Sequence, residues 1–368
     1  MSDQPTPLAL ALIDRIRRDG PLPIVDYMDA CLHDPTHGYY RTMPAIGASG
    51  DFTTAPEISQ VFGELIGIWA AVAWRAMGAP RKFRLIELGP GRGTLMADAL
   101  RAARIVPSFL AAADIHLVDS NPLLRETQRT ALARTRDLPP VTWHDSLTSD
   151  VAGAEPALII ANEFLDALPI RQIVFTDGAW RERCVAINHD GAFEIVPGAP
   201  ATPDTLPTGR PPRDGDILET RPALDQVFAM LAHAAAQPMA ALLIDYGHNQ
   251  TGYGDTLQAV RRQHHVSVFD SPGQADLTAH VDFAEVARHC RAHGLVVDGP
   301  ITQSHFLLGL GLGERTEQLL QAARPDQAGL IESGARRIAD PLGMGGRFNV
   351  ACARTTSMPV LPPFAQQE

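Results

Sequence analysis

The sequence predicts an α/β protein with a doubly wound parallel sheet. Between residues 83 and 145, short apolar segments alternate with segments of helical periodicity, a pattern typical of parallel strands covered by helices on both faces. A glycine-rich turn lies directly between the first strand and the first helix of this region, as expected in a β-α-β unit. The predicted strands are 83–88, 114–119, 141–145, 157–164 and 240–247.

Helical segments precede this core. Apolar residues recur at helical spacing in 6–18, 22–33 and 57–78, so residues 1–80 are predicted to form an N-terminal helical or lid segment. A long loop within it, residues 33–60, is rich in proline, glycine and threonine. Ordered loops of this length commonly have a function.

The core is predicted to span residues 81–368 and to carry two additions. Two Asp-Gly pairs separate alternating segments within 171–196, which indicates an antiparallel β insertion that a proline-rich loop extends to residue 216. Residues 304–340 are predicted to be mostly helical, and residues 347–353 to form the last strand.

The composition excludes several classes of protein. Of the 368 residues, 45% are hydrophobic and 20% are charged, as in ordinary globular proteins. No apolar run approaches the roughly 18–20 residues of a membrane-spanning helix. The formal charge of −11 disfavours a nonspecific hold on nucleic acid, so basic partners are expected instead.

The N-terminus and the cysteines predict a cytoplasmic location. Asp3 and two prolines stand where an export signal carries its basic residues. Four cysteines lie far apart along the chain, which favours reduced thiols over a disulfide framework; they are Cys31, Cys184, Cys290 and Cys352.

The strongest local signal is the turn Glu-Leu-Gly-Pro-Gly-Arg-Gly at 87–93. Its backbone can approach a ligand closely, and the following helix offers free N–H groups. The dinucleotide fingerprint places its third glycine one residue later than here, so an NAD-dependent dehydrogenase is the weakest alternative. The residues expected to contact the ligand are Gly89, Pro90, Gly91 and Gly93.

An acidic residue ends each of the first three strands. Glu87 would receive a cationic amino group and repel a pyrophosphate, and S-adenosylmethionine carries an ammonium and no phosphate. Asp119 is placed to accept hydrogen bonds from both ribose hydroxyls. Asp145, followed by Ser146, is placed to accept one from the adenine amino group, although an acid there is also typical of a helix N-cap. Together these acids predict S-adenosylmethionine as the cofactor.

These residues resemble the MidA-like family of class I S-adenosylmethionine-dependent methyltransferases, relatives of the mitochondrial complex I assembly factors that act as protein arginine methyltransferases. The glycine turn marks only the superfamily, whereas GDFTTAPEISQ and NEFLDALP are far more specific. The resembling segments extend nearly from end to end, at 50–67, 87–98, 162–169, 244–247, 276–283 and 344–350.

The resemblance implies a Rossmann-like, seven-stranded class I methyltransferase sheet with an N-terminal helical addition and a β-rich insertion. It also implies an enzyme that forms symmetric dimethylarginine on a NADH dehydrogenase (complex I) subunit and aids the assembly of that complex. The N-terminus does not have the composition of a transit peptide, so a bacterial cytoplasmic protein is expected. The alternatives are a methyltransferase of a different acceptor and a noncatalytic S-adenosylmethionine-binding assembly factor.

Arginine methylation requires carboxylates beside the acceptor, because the guanidinium stays protonated and presents five donors in a planar fork. Glu163 and Asp166 follow the carboxyl end of the fourth strand, where ligands usually bind in open α/β sheets. A helical turn would put both acids on one face, and Asn162 would add an amide acceptor. These three are the predicted catalytic residues, and helix capping by Asn162 or Asp166 is the simpler alternative.

An N-terminal loop folded over the cofactor would shield its sulfonium from water. Glu57 also fits an ordinary helix start, and His280 a surface position. Other histidines such as His289 and His293 have no HExxH or paired-cysteine pattern beside them, so no metal is expected. The residues predicted to cover the cofactor or line an acceptor channel are Asp51, Phe52, Thr53, Thr54, Glu57 and His280.

Overall fold

The computed structural model describes residues 5–42, 53–135 and 138–364. The helices within these residues are α1 (Pro7–Asp19), α2 (Ile24–His33), α3 (Tyr39–Thr42), α4 (Ala55–Ile58), α5 (Gln60–Ala76), α6 (Thr94–Ala102), α7 (Pro107–Ala112), α8 (Pro122–Leu132), α9 (Ser149–Ala152), α10 (Ala223–Ala234), α11 (Phe283–Ala292), α12 (Gln303–Gly309), α13 (Leu312–Ala322), α14 (Pro325–Ala339) and α15 (Met344–Arg347). The strands are β1 (Leu22–Pro23), β2 (Phe83–Leu88), β3 (Ala113–Val118), β4 (Val141–His144), β5 (Ala157–Asn162), β6 (Arg171–Thr176), β7 (Ala179–Ile187), β8 (Phe193–Pro200), β9 (Ile217–Thr220), β10 (Met239–His248), β11 (Gln258–Arg261), β12 (His264–Val266), β13 (Asp276–Thr278), β14 (Val281–Asp282), β15 (Val296–Thr302) and β16 (Phe348–Arg354).

The central sheet has the strand order β15-β16-β10-β5-β2-β3-β4, and the short β14 also pairs with β10. β16 runs antiparallel to both of its neighbours, whereas the strands from β10 to β4 are parallel to one another. The predicted Rossmann-like sheet of seven strands is confirmed.

Apolar side chains cover both faces of this sheet, because successive residues of a strand point to opposite faces. Leu85 and Leu158 pack into one cluster with side chains of α5, α6 and α7. Ile86 and Ile159 pack into another cluster with side chains of α10 and α11. The sheet is therefore buried between two helical layers, as the near-continuous apolar strands predicted.

The N-terminal segment divides between two packing partners. Leu12 of α1 and Tyr27 of α2 belong to an apolar cluster that also contains Val185 of β7 and Leu277 of β13. α5 instead packs against α6 and joins the helical layer on the central sheet. Of the described helices within residues 1–80, only α1, α2 and α3 therefore pack against strands outside the central sheet.

Two smaller sheets lie outside the central one. The predicted β insertion forms β6, β7 and β8, which β1 and β9 join in one antiparallel sheet. β8 continues to Pro200 and so occupies the start of the segment predicted as a loop. The sequence analysis did not predict β11, β12 and β13, which form a three-stranded sheet, because strands of three or four residues are too short to show alternation.

The register of the parallel strands brings polar residues to one edge. Leu88 pairs with Val118, and Val118 pairs with His144. β5 lies beside β2, and its Asn162 pairs with Ile244 of β10. The carboxyl ends of these strands therefore meet. Gly89, Asp119, Asp145 and Glu163 directly follow their strands, and Asp245 lies within β10 one residue after Ile244.

Gly67→Ala is expected to destabilise the protein, because a Cβ at Gly67 in α5 would lie 2.3 Å from the backbone oxygen of Ala99 in α6. The two helices would have to separate, at a cost of about 1–3 kcal/mol. The matched control is Gly329→Ala in α14, where nothing lies within 4 Å of an added Cβ. Alanine should stabilise that helix by up to about 1 kcal/mol. Urea unfolding measures both changes, and equal stability of the two variants would contradict this packing.

Candidate functional site

A cavity of about 500 Å³ opens at the carboxyl edge of the parallel strands. This volume lies in the range of small-molecule sites. One wall is apolar and comes from α10, through Ala223, Val227 and Met230. Many of the residues predicted from the sequence line the cavity, namely Thr54, Gly89, Gly91, Asp119, Asp145, Ser146, Glu163 and Asp166.

A second, small cavity of about 40 Å³ adjoins the first. The two share a wall, because Thr54, Gly89, Gly91 and Glu163 line both. The remaining predicted residues that line the small cavity are Glu57, Glu87, Pro90 and Asn162. Glu87 near the end of β2 and the acids that follow β3 and β4 therefore line two adjoining cavities.

The glycine turn is held in place by α8. Gly93 has a φ of 80°, and a Cβ there would lie 3.1 Å from the Cα of Gln128, so both the backbone angle and the space require glycine. Gln128 Nε2 donates to the backbone oxygen of Gly91 and to Asp119 Oδ2, each at 2.8 Å. The side chain of Gln128 thus links the glycine turn to Asp119, which follows β3. The sequence analysis did not predict this role, since a polar residue on a helix carries no local signal of it.

Glu87 is a buried acid without a full set of partners. It is 3% exposed, and among the described residues no hydrogen-bond partner reaches its Oε2. Burial, and then the charge of Asp119, raises the pKa of Glu87 to about 8. Asn162 Oδ1, in the same small cavity, also has no partner within the described chain. Because a buried acceptor without a donor is costly, this pair fits a cationic ligand group that donates hydrogen bonds.

Asp119 and Asp145 differ in burial. Asp119 accepts hydrogen bonds from the backbone N–H of Asn121 and from Gln128, both at 2.8 Å, and burial raises its pKa. The Asp145 side chain is 80% exposed and is paired with Arg125 at the cavity rim. Asp145 is not the N-cap of the next helix, because Thr148 caps α9.

Glu163, Asp166 and Asp245 form an acidic cluster at the ends of β5 and β10. Asp245 is fully buried, and its Oδ2 accepts hydrogen bonds from the N–H groups of Leu165, at 2.9 Å, and Asp166, at 3.1 Å. Residues 163–168 form an irregular turn and not a helical one. Asp245 holds that turn so that Glu163 and Asp166 both line the cavity. The sequence analysis missed Asp245, although it lies near the end of a strand, as the predicted acids do.

The pKa values of all three acids in the cluster are raised. Burial, and then the charge of Asp166, raises the pKa of Glu163 to about 7. Burial also raises the pKa values of Asp166 and Asp245, against the Tyr246 hydroxyl beside Asp166 and the charge of Arg221. In the part of the chain that the structure describes, Asp166 Oδ1 has no hydrogen-bond partner. Glu163 has a φ of 51°, a strained backbone for a residue other than glycine and one that is common at functional sites. The cluster fits a cationic ligand.

The short helix α4 connects the N-terminal segment to this cluster. The N–H of Ala55 donates to Glu163 Oε1 at 3.3 Å. Glu57 lies in the first turn of α4, and its carboxylate accepts from the hydroxyl of Thr94 at the start of α6. Glu57 is therefore both the helix-start acid of the simpler interpretation and a contact to the glycine turn.

A second contact joins two residues of the cavity wall. Tyr40 of α3 donates to Asp276 Oδ1 of β13 at 2.8 Å, and both residues lie in the cavity wall. Neither was predicted, since their pairing spans 236 residues of the chain. Thr54 lines both cavities and Thr53 lines neither. The predicted residues Asp51 and Phe52 lie outside the described residues.

His280 is exposed, and its ring packs edge-on against Tyr246 with centroids 5.6 Å apart. It lines neither cavity, so the structure does not place it in an acceptor channel. Two other histidines, His289 and His293, do meet an acid, Asp225.

Comparisons with known proteins point to a family of methyltransferases. A family model of S-adenosyl-L-methionine-dependent methyltransferases matches residues 65–301. The chain is 35% identical to the mitochondrial protein arginine methyltransferase NDUFAF7 homolog of Drosophila melanogaster, over 93% of this chain and 83% of that protein. It is 34% identical to the mitochondrial protein arginine methyltransferase NDUFAF7 of Homo sapiens, over 94% of this chain and 82% of that protein. A crystal structure from Burkholderia thailandensis, bound to S-adenosyl-homocysteine, is similar with a TM-score of 0.85 and 27% identity, over 100% of this chain and 98% of that one.

These comparisons contradict the expected bacterial cytoplasmic location, because the curated relatives are named as mitochondrial proteins. The composition of the first residues was therefore a poor guide to compartment. Across the described ranges, no helix combines the length and apolar character needed to span a membrane.

Glu87→Gln is expected to change how stability depends on pH. The pKa of Glu87 is about 8 in the folded protein against an ordinary value of 4.5, so the folded state binds this proton more tightly than the unfolded state. The stability from that proton is fully present below about pH 4.5 and is lost as the pH rises through 8. The variant, which has no charge to bury, should therefore be more stable than the wild type above pH 8, by an amount on the order of a few kcal/mol.

Urea unfolding of the ligand-free protein at about pH 5.5 and pH 8.5 tests this expectation. The control is Glu126→Gln, whose side chain is 74% exposed and which should behave like the wild type at both pH values. A stability difference between Glu87→Gln and wild type that is the same at both pH values would contradict the raised pKa.

Proposed function

The chain belongs to the family of S-adenosyl-L-methionine-dependent methyltransferases, and we propose that it methylates an arginine side chain of a protein. The observation that carries the proposal is the buried acidic cluster of Glu163, Asp166 and Asp245 beside the cavity. A guanidinium is a planar cation with five hydrogen-bond donors, so it suits a cavity wall lined by buried carboxylates. The names of the curated relatives support the same acceptor.

The cofactor is S-adenosylmethionine, and the unpartnered acceptors of the small cavity support its placement. We assign Glu87 and Asn162 to its ammonium group, Asp119 to its ribose hydroxyls, and Asp145 with Ser146 to its adenine. The backbone of the turn formed by Gly89, Pro90, Gly91 and Gly93 would lie against it. When bound, it supplies a methyl group activated by a positively charged sulfur.

The acids of the cluster are assigned different tasks. Asp166 Oδ1, which has no partner among the described residues, would accept an N–H of the acceptor and localise its charge. Glu163 would take up the proton released on methylation, because a pKa of about 7 is near the optimum for a general base at neutral pH. Asp245 would position Glu163 and Asp166, because it holds the turn at residues 163–168 that carries them. The contact of α4 with Glu163 would exclude water from the side of Glu163 that faces α4.

The target proposed from the family resemblance is a subunit of NADH dehydrogenase (complex I), with symmetric dimethylarginine as the product and complex assembly as the consequence. The net charge of −11 suits a basic target segment. Mass spectrometry of NADH dehydrogenase subunits from cells with and without this protein tests the target. A dimethylarginine that disappears with the protein supports the proposal, and an unchanged set of modifications contradicts it.

S-adenosylmethionine is expected to stabilise the protein, whereas NAD is not. At a concentration 100 times its dissociation constant, a ligand that binds only the folded state adds about 2.7 kcal/mol. Thermal unfolding with each compound measures the shift. Stabilisation by NAD alone would favour a dehydrogenase and contradict the cofactor assignment.

Glu163→Gln is expected to lower methyl transfer by at least about 100-fold while leaving cofactor binding nearly unchanged, because it removes the general base and keeps the side-chain shape. Transfer of labelled methyl groups to NADH dehydrogenase from cells lacking this protein measures activity, and calorimetry measures binding. The control is Glu332→Gln, an acid on α14 whose side chain is 64% exposed. Wild-type turnover by the Glu163 variant would remove this residue from the catalytic set.

A further inference from the structure

We propose that Asp225, His289 and His293 form a binding site for a divalent transition metal, with zinc as the best match. Asp225 lies in the first turn of α10, and the two histidines lie at the end of α11. One ligand atom from each side chain lies within 4.8 Å of the other two. The site is separate from the cavity and does not depend on the proposed acceptor.

The distances are close to those of a zinc site. Asp225 Oδ1 lies 2.9 Å from His293 Nε2 and 3.8 Å from His289 Nδ1. Atoms bound to a tetrahedral zinc at about 2.0–2.1 Å lie about 3.3–3.5 Å from one another. The observed distances lie on either side of this value, so small side-chain rotations would suffice. His289 lies in the last turn of α11 and His293 is the residue that caps this helix, so both imidazoles lie at the same helix end and reach Asp225.

The site is oriented yet accessible. The ring of His289 stacks on Phe228 of α10, with centroids 6.5 Å apart and planes inclined by 17°, so packing sets its direction. The side chains of His289 and His293 are 25% and 22% exposed, and that of Asp225 is 71% exposed. An ion could enter from solvent and keep water in its remaining position.

The donor set selects the class of ion. Two imidazole nitrogens and one carboxylate suit zinc and similar transition metals, whereas magnesium and calcium prefer oxygen ligands. The carboxylate of Asp225 places a negative charge beside both imidazoles.

An ion here would join α10 to α11. The other side of α10 forms the apolar cavity wall through Ala223, Val227 and Met230. Metal binding would therefore brace this wall of the cavity, although none of the three ligands lines the cavity.

The test is a titration of the full-length protein, first stripped with EDTA, with zinc chloride by calorimetry and with cobalt chloride by visible absorption. We expect one ion per chain, tetrahedral cobalt bands, and a loss of affinity of at least about tenfold in His289→Gln and in His293→Gln. The control His233→Gln removes an exposed histidine of α10 outside the cluster and should bind like the wild type.

Stabilisation by S-adenosylmethionine, measured for each variant, shows whether it is folded. If a variant does not fold, Asp225→Asn, at an exposed position, replaces it. Absence of stoichiometric zinc binding, or equal affinity in folded His293→Gln and wild type, would overturn the proposal.

Discussion

The register of five parallel strands is the constraint on which the site depends. Hydrogen-bonded pairing of β2, β3, β4, β5 and β10 brings their carboxyl ends to one edge. A slip of one residue would turn every side chain of a strand to the opposite face, and the apolar clusters on both faces oppose such a slip. The positions of the acids thus follow from the packing of apolar neighbours such as Ile86 and Ile159.

The same edge carries an electrostatic cost. Glu87, Glu163 and Asp245 are buried where burial raises their pKa values, and their surroundings provide few positive charges. Ionised acids in such places destabilise a protein that has no ligand. A positively charged cofactor, and an acceptor with the same sign of charge, would offset this cost.

Contacts between distant segments complete the site. The N–H of Ala55 reaches Glu163 across 108 residues of the chain, and Gln128 reaches Gly91 across 37. Tyr40 and Asp276 close the cavity between an N-terminal helix and the three-stranded sheet. Through Ala55, Tyr40 and Asp276, elements outside the central sheet also form part of the site.

The sequence by itself determined the sheet, the glycine turn and the acids at the strand ends. Those features depend on local periodicity and on the rule that the carboxyl ends of parallel strands lie at the same edge of the sheet. Glu87, Asp119 and Glu163 could therefore be placed from their positions relative to the predicted strand ends. Only the tertiary structure decided the irregular turn after β5, the roles of Gln128 and Asp245, and the meeting of Asp225 with His293. The reason is physical: these features arise from hydrogen bonds and packing between residues far apart in the chain, and no local pattern of residue types encodes such contacts.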